Sequence, residues 1–445
     1  MPPTNLRMKV DAEPAARRPG AWSRALRMYE DSTGHFFLTW ALVALLNFVT
    51  QAVFFFEMAG TARVTGEFGI FNAALGIIGL LALPAQALPV AHRLFFARAQ
   101  STSLDPLRAA SFTVTETFAW VWAFGCFVLI LLPLPLPTLP RFALEIFTLL
   151  NALLALGAVV SGAVCAEALH DRRWALLLVC ACLVRLALGA WFTAYQPWSE
   201  VALGAYLVAG FVTLAPALRP REMRFAARLQ ACVSALDRSF LRFTAATLSV
   251  LLGLYLFTNA DRIAALSWMN VNVGGTELPS SPLRHILDVY QAVGLLARAI
   301  LWGTQPLLWL LYFERSRLDK TTPASLRFFW VYLAALLAGA LGLGLLGRKD
   351  GPLDALIPQA GSLAPTFAAV MVPLGLLQGL GIFALASRRY PECFVIGGCG
   401  FVYALVLAIV GGRPQTMLPY MFGSSVVALM LVLFVGVVRW GRRQP

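Results

Sequence analysis

The chain has 445 residues, 59% hydrophobic and only 13% charged, with a formal net charge of +13 and a mean hydropathy of +0.74. A soluble protein of that size needs far more polar surface, so the composition excludes a water-soluble fold and points to a lipid bilayer. No Gly-x4-Gly-Lys-Ser/Thr loop is present to cradle ATP phosphates, which excludes an ATP-driven pump in this chain alone.

An apolar run of about 20 residues is long enough to cross ~30 Å of hydrocarbon. Twelve such runs follow one another at 36–57, 69–92, 110–132, 142–166, 174–195, 199–217, 244–269, 285–313, 325–347, 363–387, 392–411 and 417–438. The basic stretch 1–35 ahead of the first run resembles a secretory leader. The run itself is too long for a leader's apolar region and no small-x-small cleavage site follows, so a retained first helix is expected. That helix carries Asn47 and Gln51, four apart and so on one face, and Glu57 near its end. The second and fourth runs are followed by short basic loops, and the fifth run holds Arg185 near its centre. Between runs six and seven lies the longest basic connection, "RPREMRFAARLQACVSALDRSFLR" (219–242). Its apolar residues at helical spacing and Arg on the other face suit a segment lying along the membrane surface. Run seven contains adjacent Asp261 and Arg262, and run eight contains Asp288, Arg298 and Gln305.

Cytoplasmic loops collect Lys and Arg. With the N-terminus inside and twelve spans, the inner segments 1–35, 93–109, 167–173, 218–243, 314–324, 388–391 and 439–445, together with Arg327, hold 26 of the 35 basic residues. Outer segments hold Arg63, Arg141, Arg284, Arg348, Lys349 and Arg413, and the helices hold Arg185, Arg262 and Arg298. Both termini are therefore expected in the cytoplasm, and the charge reflects orientation and attraction to anionic membrane lipids rather than a nucleic-acid surface. Seven scattered cysteines without a CxxC pair, and four histidines near span ends (His35, His92, His170 and His285), suggest neither a disulfide framework nor a metal site, and no cofactor is expected.

The chain divides into 1–35, a first lobe 36–217, the linker 218–243, a second lobe 244–438 and a tail 439–445. At a constant offset of 219, "FGIFNAALGIIGLLALPAQAL" (68–88) aligns with "LDVYQAVGLLARAILWGTQPL" (287–307): Phe71 meets Tyr290, Asn72 meets Gln291 and Gln86 meets Gln305. Both segments run from outside to inside, so the repeat is parallel, about an axis along the membrane normal. The expected fold class is all-α integral membrane, with twelve helices in two six-helix lobes.

Arg298 stands about thirteen residues below the outer end of its helix, ~20 Å at 1.5 Å per residue, which is too deep for snorkelling. An arginine at that depth costs about 2.5–3.5 kcal/mol on insertion scales and faces the bundle interior or a watery cavity. Two roles stay open for it: a cationic cavity for a phosphate or diphosphate, or an ion pair with Asp261. Arg185 poses the same choice. Asp261 and Arg262 diverge by ~100° and cannot face one partner. Asn47 and Gln51 suit a cavity wall or interhelical hydrogen bonds. Glu57, Glu116, Glu145 and Glu167 read as boundary carboxylates, although Glu57, Asp261 and Asp288 are also candidates for ion coupling. Pro84, Pro89, Pro306 and Pro373 can kink their spans.

The stretch "LLNFVTQAVFFFEMAGTARVTGEFGIFNAALGIIGLLALPAQAL" (45–88) resembles the opening of lipid-linked oligosaccharide or O-antigen flippases, the polysaccharide transporter family of the multidrug/oligosaccharidyl-lipid/polysaccharide exporter superfamily. Their acidic–aromatic–Gly turn is matched by Glu67, Phe68 and Gly69. "TNADRIAAL" (258–266) and "VYQAVGLLARAILWGTQPLLWLLYFERS" (289–316) look like their helices seven and eight, with Asp261 and Arg298 at matching positions. Asp288 departs from the pattern, standing where that family usually has Gly, and "NVNVGGTELPSSPLRH" ahead of it is longer than usual. The resemblance implies a central cavity with alternating access and a polyprenyl-diphosphate-linked oligosaccharide flipped to the outer leaflet. It further implies cavity contacts from Arg298, Arg185, Asn47, Gln51, Gln305, Asp261 and Arg262, an inner-membrane location and polysaccharide polymerase or assembly proteins as partners.

Three alternatives compete with that expectation. A multidrug or organic-cation exporter of the same superfamily should carry intramembrane acids without net positive charge. A membrane glycosyltransferase or polymerase should carry long external loops. A major-facilitator transporter should carry an Asp/Gly/Arg-rich motif after helix two, where this chain has "HRLFFARAQSTSLDPLR" (92–108).

Overall fold

The computed structural model describes residues 32–59, 66–96, 121, 172–214, 238–273, 282–317, 323–410 and 414–441. Among them the helices are α1 (Ser32–Ala59), α2 (Glu67–Phe96), α3 (Arg172–Tyr195), α4 (Ser199–Leu214), α5 (Arg238–Val273), α6 (Pro282–Arg317), α7 (Pro323–Leu346), a single turn α8 (Pro352–Leu356), α9 (Ala360–Ala386), α10 (Tyr390–Val410) and α11 (Pro414–Gly441). Apart from α8, each covers one of the expected spans. Apart from Val121, the expected spans 110–132 and 142–166 lie outside the described residues, as do Glu116, Glu145, Glu167 and His170.

Local chemistry accounts for where these helices start and stop. Pro is the first residue of α6, α7, α8 and α11, where its fixed φ suits the helix and its missing N–H removes no intrahelical bond. Pro306, Pro365, Pro373 and Pro419 lie inside helices that continue past them. Before α2 the chain turns through Gly66 at φ 91°, a left-handed conformation that favours glycine. The α9–α10 turn closes with Arg389 N–H donating to the Ala384 carbonyl at 2.7 Å and Arg388 in the left-handed region. At the α3–α4 turn Trp191, Tyr195 and Trp198 are exposed, the arrangement of an aromatic belt at a membrane–water boundary.

The outer surfaces are apolar. Ile409 is 75% exposed, Val437 68%, Phe434 65% and Leu341 64%, faces that only lipid can cover at low cost. Among the described residues seven helices are long and apolar enough to cross a membrane, and the protein is a multi-pass membrane protein. α5 begins at Arg238, earlier than the span 244–269 read from hydropathy, so the end of the basic linker is the first turn of a helix. Residues 218–237 of that linker lie outside the described residues.

Helices of the N-terminal half pack on one another, α1 on α3, α3 on α4 and α2 on α4. Those of the C-terminal half form a second group, α5 on α10, α6 on α7 and α9, and α9 on α11. The halves meet where α2 lies along α5 and where α6 touches α1 and α2. α5 is enclosed on several sides. Its Gly253 meets α10 backbone to backbone: a Cβ on Gly400 would sit 2.5 Å from Gly253 Cα. Small residues permit such approach between membrane helices, where dispersion rather than water exclusion drives association.

Candidate functional site

Arg298 is fully buried, and its environment is built by three helices of the C-terminal half. Its Nη2 donates to Asp261 Oδ2 at 2.5 Å, and its Nε donates to the Thr258 carbonyl, both on α5. The Tyr290 hydroxyl, one stripe up α6, donates to the same Asp261 oxygen at 2.8 Å. Phe367 of α9 lies 5.9 Å from the guanidinium carbon and 5.1 Å from the Tyr290 ring. A helical side chain points toward the N-terminus of its own helix. Arg298 therefore runs back over Gly294, whose missing Cβ leaves room for the guanidinium. Of the two roles open to Arg298 in the sequence, the structure shows the ion pair with Asp261. Among the described residues Arg298 Nη1 and Asp261 Oδ1 have no hydrogen-bond partner.

A second polar group lies in the N-terminal half. Arg185 of α3 donates from Nη1 to Asn47 Oδ1 of α1 at 2.7 Å and stacks on the Tyr206 ring of α4, 4.1 Å from its centroid. Gln51 Nε2, one turn past Asn47, donates to the Tyr206 hydroxyl at 2.9 Å. Asn47 and Gln51 thus share a face, and that face makes interhelical hydrogen bonds. Among the described residues Arg185 has no carboxylate partner, and its Nε and Gln51 Oε1 are buried without a hydrogen bond.

Arg262 is the neighbour of Asp261 on α5. It shares a stripe of α5 with Tyr255 and Asn259, and Tyr255 donates its hydroxyl to the Gly76 carbonyl of α2 at 2.7 Å. That stripe is the seam between the halves. Arg262 is 4% exposed, and its Nε and Nη2 have no partner among the described residues. The adjacent Gln291 reaches only the Arg262 backbone carbonyl, at 3.5 Å, and leaves its own Oε1 unsatisfied. Asp261 and Arg262 diverge as expected, the acid toward α6 and the base along the seam.

Asp288, a candidate for ion coupling, is engaged at the other end of the seam. Its Oδ2 accepts from Gly66 N–H at 2.6 Å and its Oδ1 from Gly69 N–H at 2.8 Å, so it caps the start of α2 from α6. Glu67 in turn accepts from Ser199 N–H at 2.8 Å, at the start of α4. Gln305 is half-buried two turns beyond Arg298, and Glu57 is half-buried near the end of α1. Sequence reasoning missed Tyr290, Tyr206, Gln291 and Phe367. Tyr290 was accessible, because Tyr290, Gly294 and Arg298 recur at intervals of four along one face.

Charge is uneven along the seam, with the carboxylates Asp288 and Glu67 at the end where α2 begins and the arginines deeper in the bundle. Asp261 and Arg298 cancel, leaving Arg262 and Arg185 unmatched, a polarity suited to electron-rich or anionic groups.

No known family pattern matches the sequence, and no curated protein matches it. Solved structures do. An inward-facing multidrug resistance MATE family transporter of the MOP superfamily superposes with a TM-score of 0.55 at 13% identity, over 90% of this chain and 98% of that one. The eukaryotic MATE transporter AtDTX14 gives 0.59 at 12% identity, over 93% and 96%. The MATE transporter ClbM, in complex with Rb+, gives 0.55 at 13% identity, over 94% and 99%. The likeness is to MATE transporters, one of them a multidrug resistance transporter of the MOP superfamily, to which the flippases resembled in sequence also belong. At these identities it speaks for the fold alone. The chain has the fold of MATE transporters of the MOP superfamily along nearly its whole length.

Proposed function

We propose that this protein is a membrane exporter, not an enzyme, in which two six-helix lobes alternate access to a site on the seam between them. The observation that carries this reading is the likeness to MATE transporters over at least 90% of this chain and of theirs. The two-lobe division is supported by the packing of α1–α4 and α5–α11 into separate groups. The parallel repeat is supported by one contact: Gly69 bonds to Asp288, its equivalent at the offset of 219. Residues related by a twofold axis meet only beside that axis.

The cargo that fits the likeness is a small amphipathic molecule, as for a multidrug exporter, located in the cytoplasmic membrane with the termini inside. Arg298 serves in this reading as the pin joining α6 to α5, since Asp261 already neutralises it. One observation favours a lipid-linked oligosaccharide instead: Arg262 and Arg185 carry positive charge with no carboxylate partner among the described residues. A diphosphate would match them.

Proteoliposomes decide between the two. Extrusion of a fluorescent organic cation, with no movement of a labelled polyprenyl-diphosphate oligosaccharide, upholds the small-molecule exporter. The reverse result establishes the flippase. Movement of neither, by protein that is folded and correctly inserted, sinks the exporter proposal.

A further inference from the structure

We propose that Asp288 is a latch that holds the two lobes together at the end of the bundle where α2 begins, and so sets how often that end opens. The inference rests on the two-lobe exporter reading. Its basis is a carboxylate from α6 with both oxygens on backbone N–H groups at the start of α2, bonded at 2.6 and 2.8 Å and 1% exposed. The two N–H groups belong to the free donors of a helix N-terminus, where the helix dipole adds to the attraction for an anion. Charged hydrogen bonds of this kind are stronger than neutral ones.

The surroundings are shaped for the contact. Gly66 presents its N–H from a φ of 91°. A Cβ on Gly69 would come within 2.5 Å of Leu287 Cγ, so only glycine lets α6 approach closely enough for the carboxylate to reach. Glu67, in the same turn of α2, takes the Ser199 N–H at the start of α4. Two carboxylates at helix starts thus connect α6 to α2 and α2 to α4, so displacement of the latch is passed into the first lobe. Parting the lobes at this end breaks both Asp288 bonds at once.

The test is a distance measurement on the full chain in lipid nanodiscs. The seven native cysteines are replaced, and spin labels are placed at Tyr195→Cys and Lys349→Cys. Both positions are exposed at this end, one in each lobe. Wild type is expected to show mainly the short, closed distance. Asp288→Ala should raise the ratio of open to closed by about tenfold or more, the effect of losing two charged hydrogen bonds. Asp288→Asn, which keeps one carbonyl acceptor, should fall between. A folded Asp288→Ala with the wild-type distribution overturns the latch. Should that variant fail to fold, Asp288→Asn decides: an unchanged distribution overturns the proposal and a partial shift supports it. The distances need no cargo, so a failed latch is distinct from a failed exporter reading, which appears as wild type moving no cargo in proteoliposomes.

Discussion

Replacing Asp261 by Asn tests the assignment of Arg298 most directly. The substitution keeps the shape and leaves an acceptor for Tyr290, but strands a guanidinium that is fully buried. Removing one partner of a buried ion pair costs about 3–5 kcal/mol, because the surviving charge keeps its desolvation penalty. Unfolding entropy of ~2.1 cal/mol/K per residue gives ~0.9 kcal/mol per kelvin for 445 residues, so the loss corresponds to an apparent Tm lower by about 3–5 °C. The assay is intrinsic-fluorescence thermal unfolding in detergent micelles at a fixed heating rate. Asp261→Asn combined with Arg298→Met removes both charges and should recover most of the loss, giving a coupling of at least ~2 kcal/mol in the double-mutant cycle. If Asp261→Asn shifts Tm by less than a degree, or the double variant is no better than the sum of the singles, Asp261 does not neutralise Arg298.

Three further outcomes are expected. Tyr290→Phe keeps the ring beside Phe367 and loses only the bond to Asp261, so the same thermal scan should register about 1.5–3 kcal/mol. Gly400→Ala forces a Cβ against the Gly253 backbone and should cost about 1–3 kcal/mol, whereas Gly398→Ala, with open space around its Cβ, should leave Tm unchanged. Tyr195→Cys should react with a membrane-impermeant maleimide added to intact cells, and Arg388→Cys only after permeabilisation. The opposite pattern would reverse the orientation read from the basic residues.

Hydropathy located the helices because a bilayer demands about 20 apolar residues wherever a helix crosses it, and little else in the chain meets that demand. It misplaced the start of α5, since Arg238 and Arg242 lower the hydropathy of a segment that is helical all the same. Depth singled out Arg298, and the reach of a long side chain made Asp261 its candidate partner. The partners of Arg185 were harder to read. Tyr206 is 155 residues from the Gln51 it bonds, and in helices apolar on every face periodicity does not say which faces meet. Asp288 was read as a candidate for ion coupling, and its capping role was hidden because its partners are backbone N–H groups. Those carry no signature of their own beyond the glycines that present them.

The unmatched Arg262 bears on the cargo more sharply than the matched Arg298. A guanidinium at the seam repels a cationic cargo and attracts an anionic one. At about 8 Å and an effective dielectric of ~20 the interaction is ~2 kcal/mol, or about 30-fold in affinity. Arg262→Gln keeps most of the side-chain length and removes the charge. For an exporter of organic cations the variant should bind its cargo up to about 30-fold more tightly, and for a carrier of anionic or diphosphate-bearing molecules it should bind correspondingly less. Scintillation proximity binding with one labelled cargo of each charge reads both directions on a single preparation. Equal affinities for variant and wild type with both cargoes would show that Arg262 does not face the transport path. Because Asp261 and Arg298 cancel each other, the sign of the change reports on this residue with little interference from its neighbours. A loss of anion binding would return the flippase to first place despite the multidrug character of the structural neighbours.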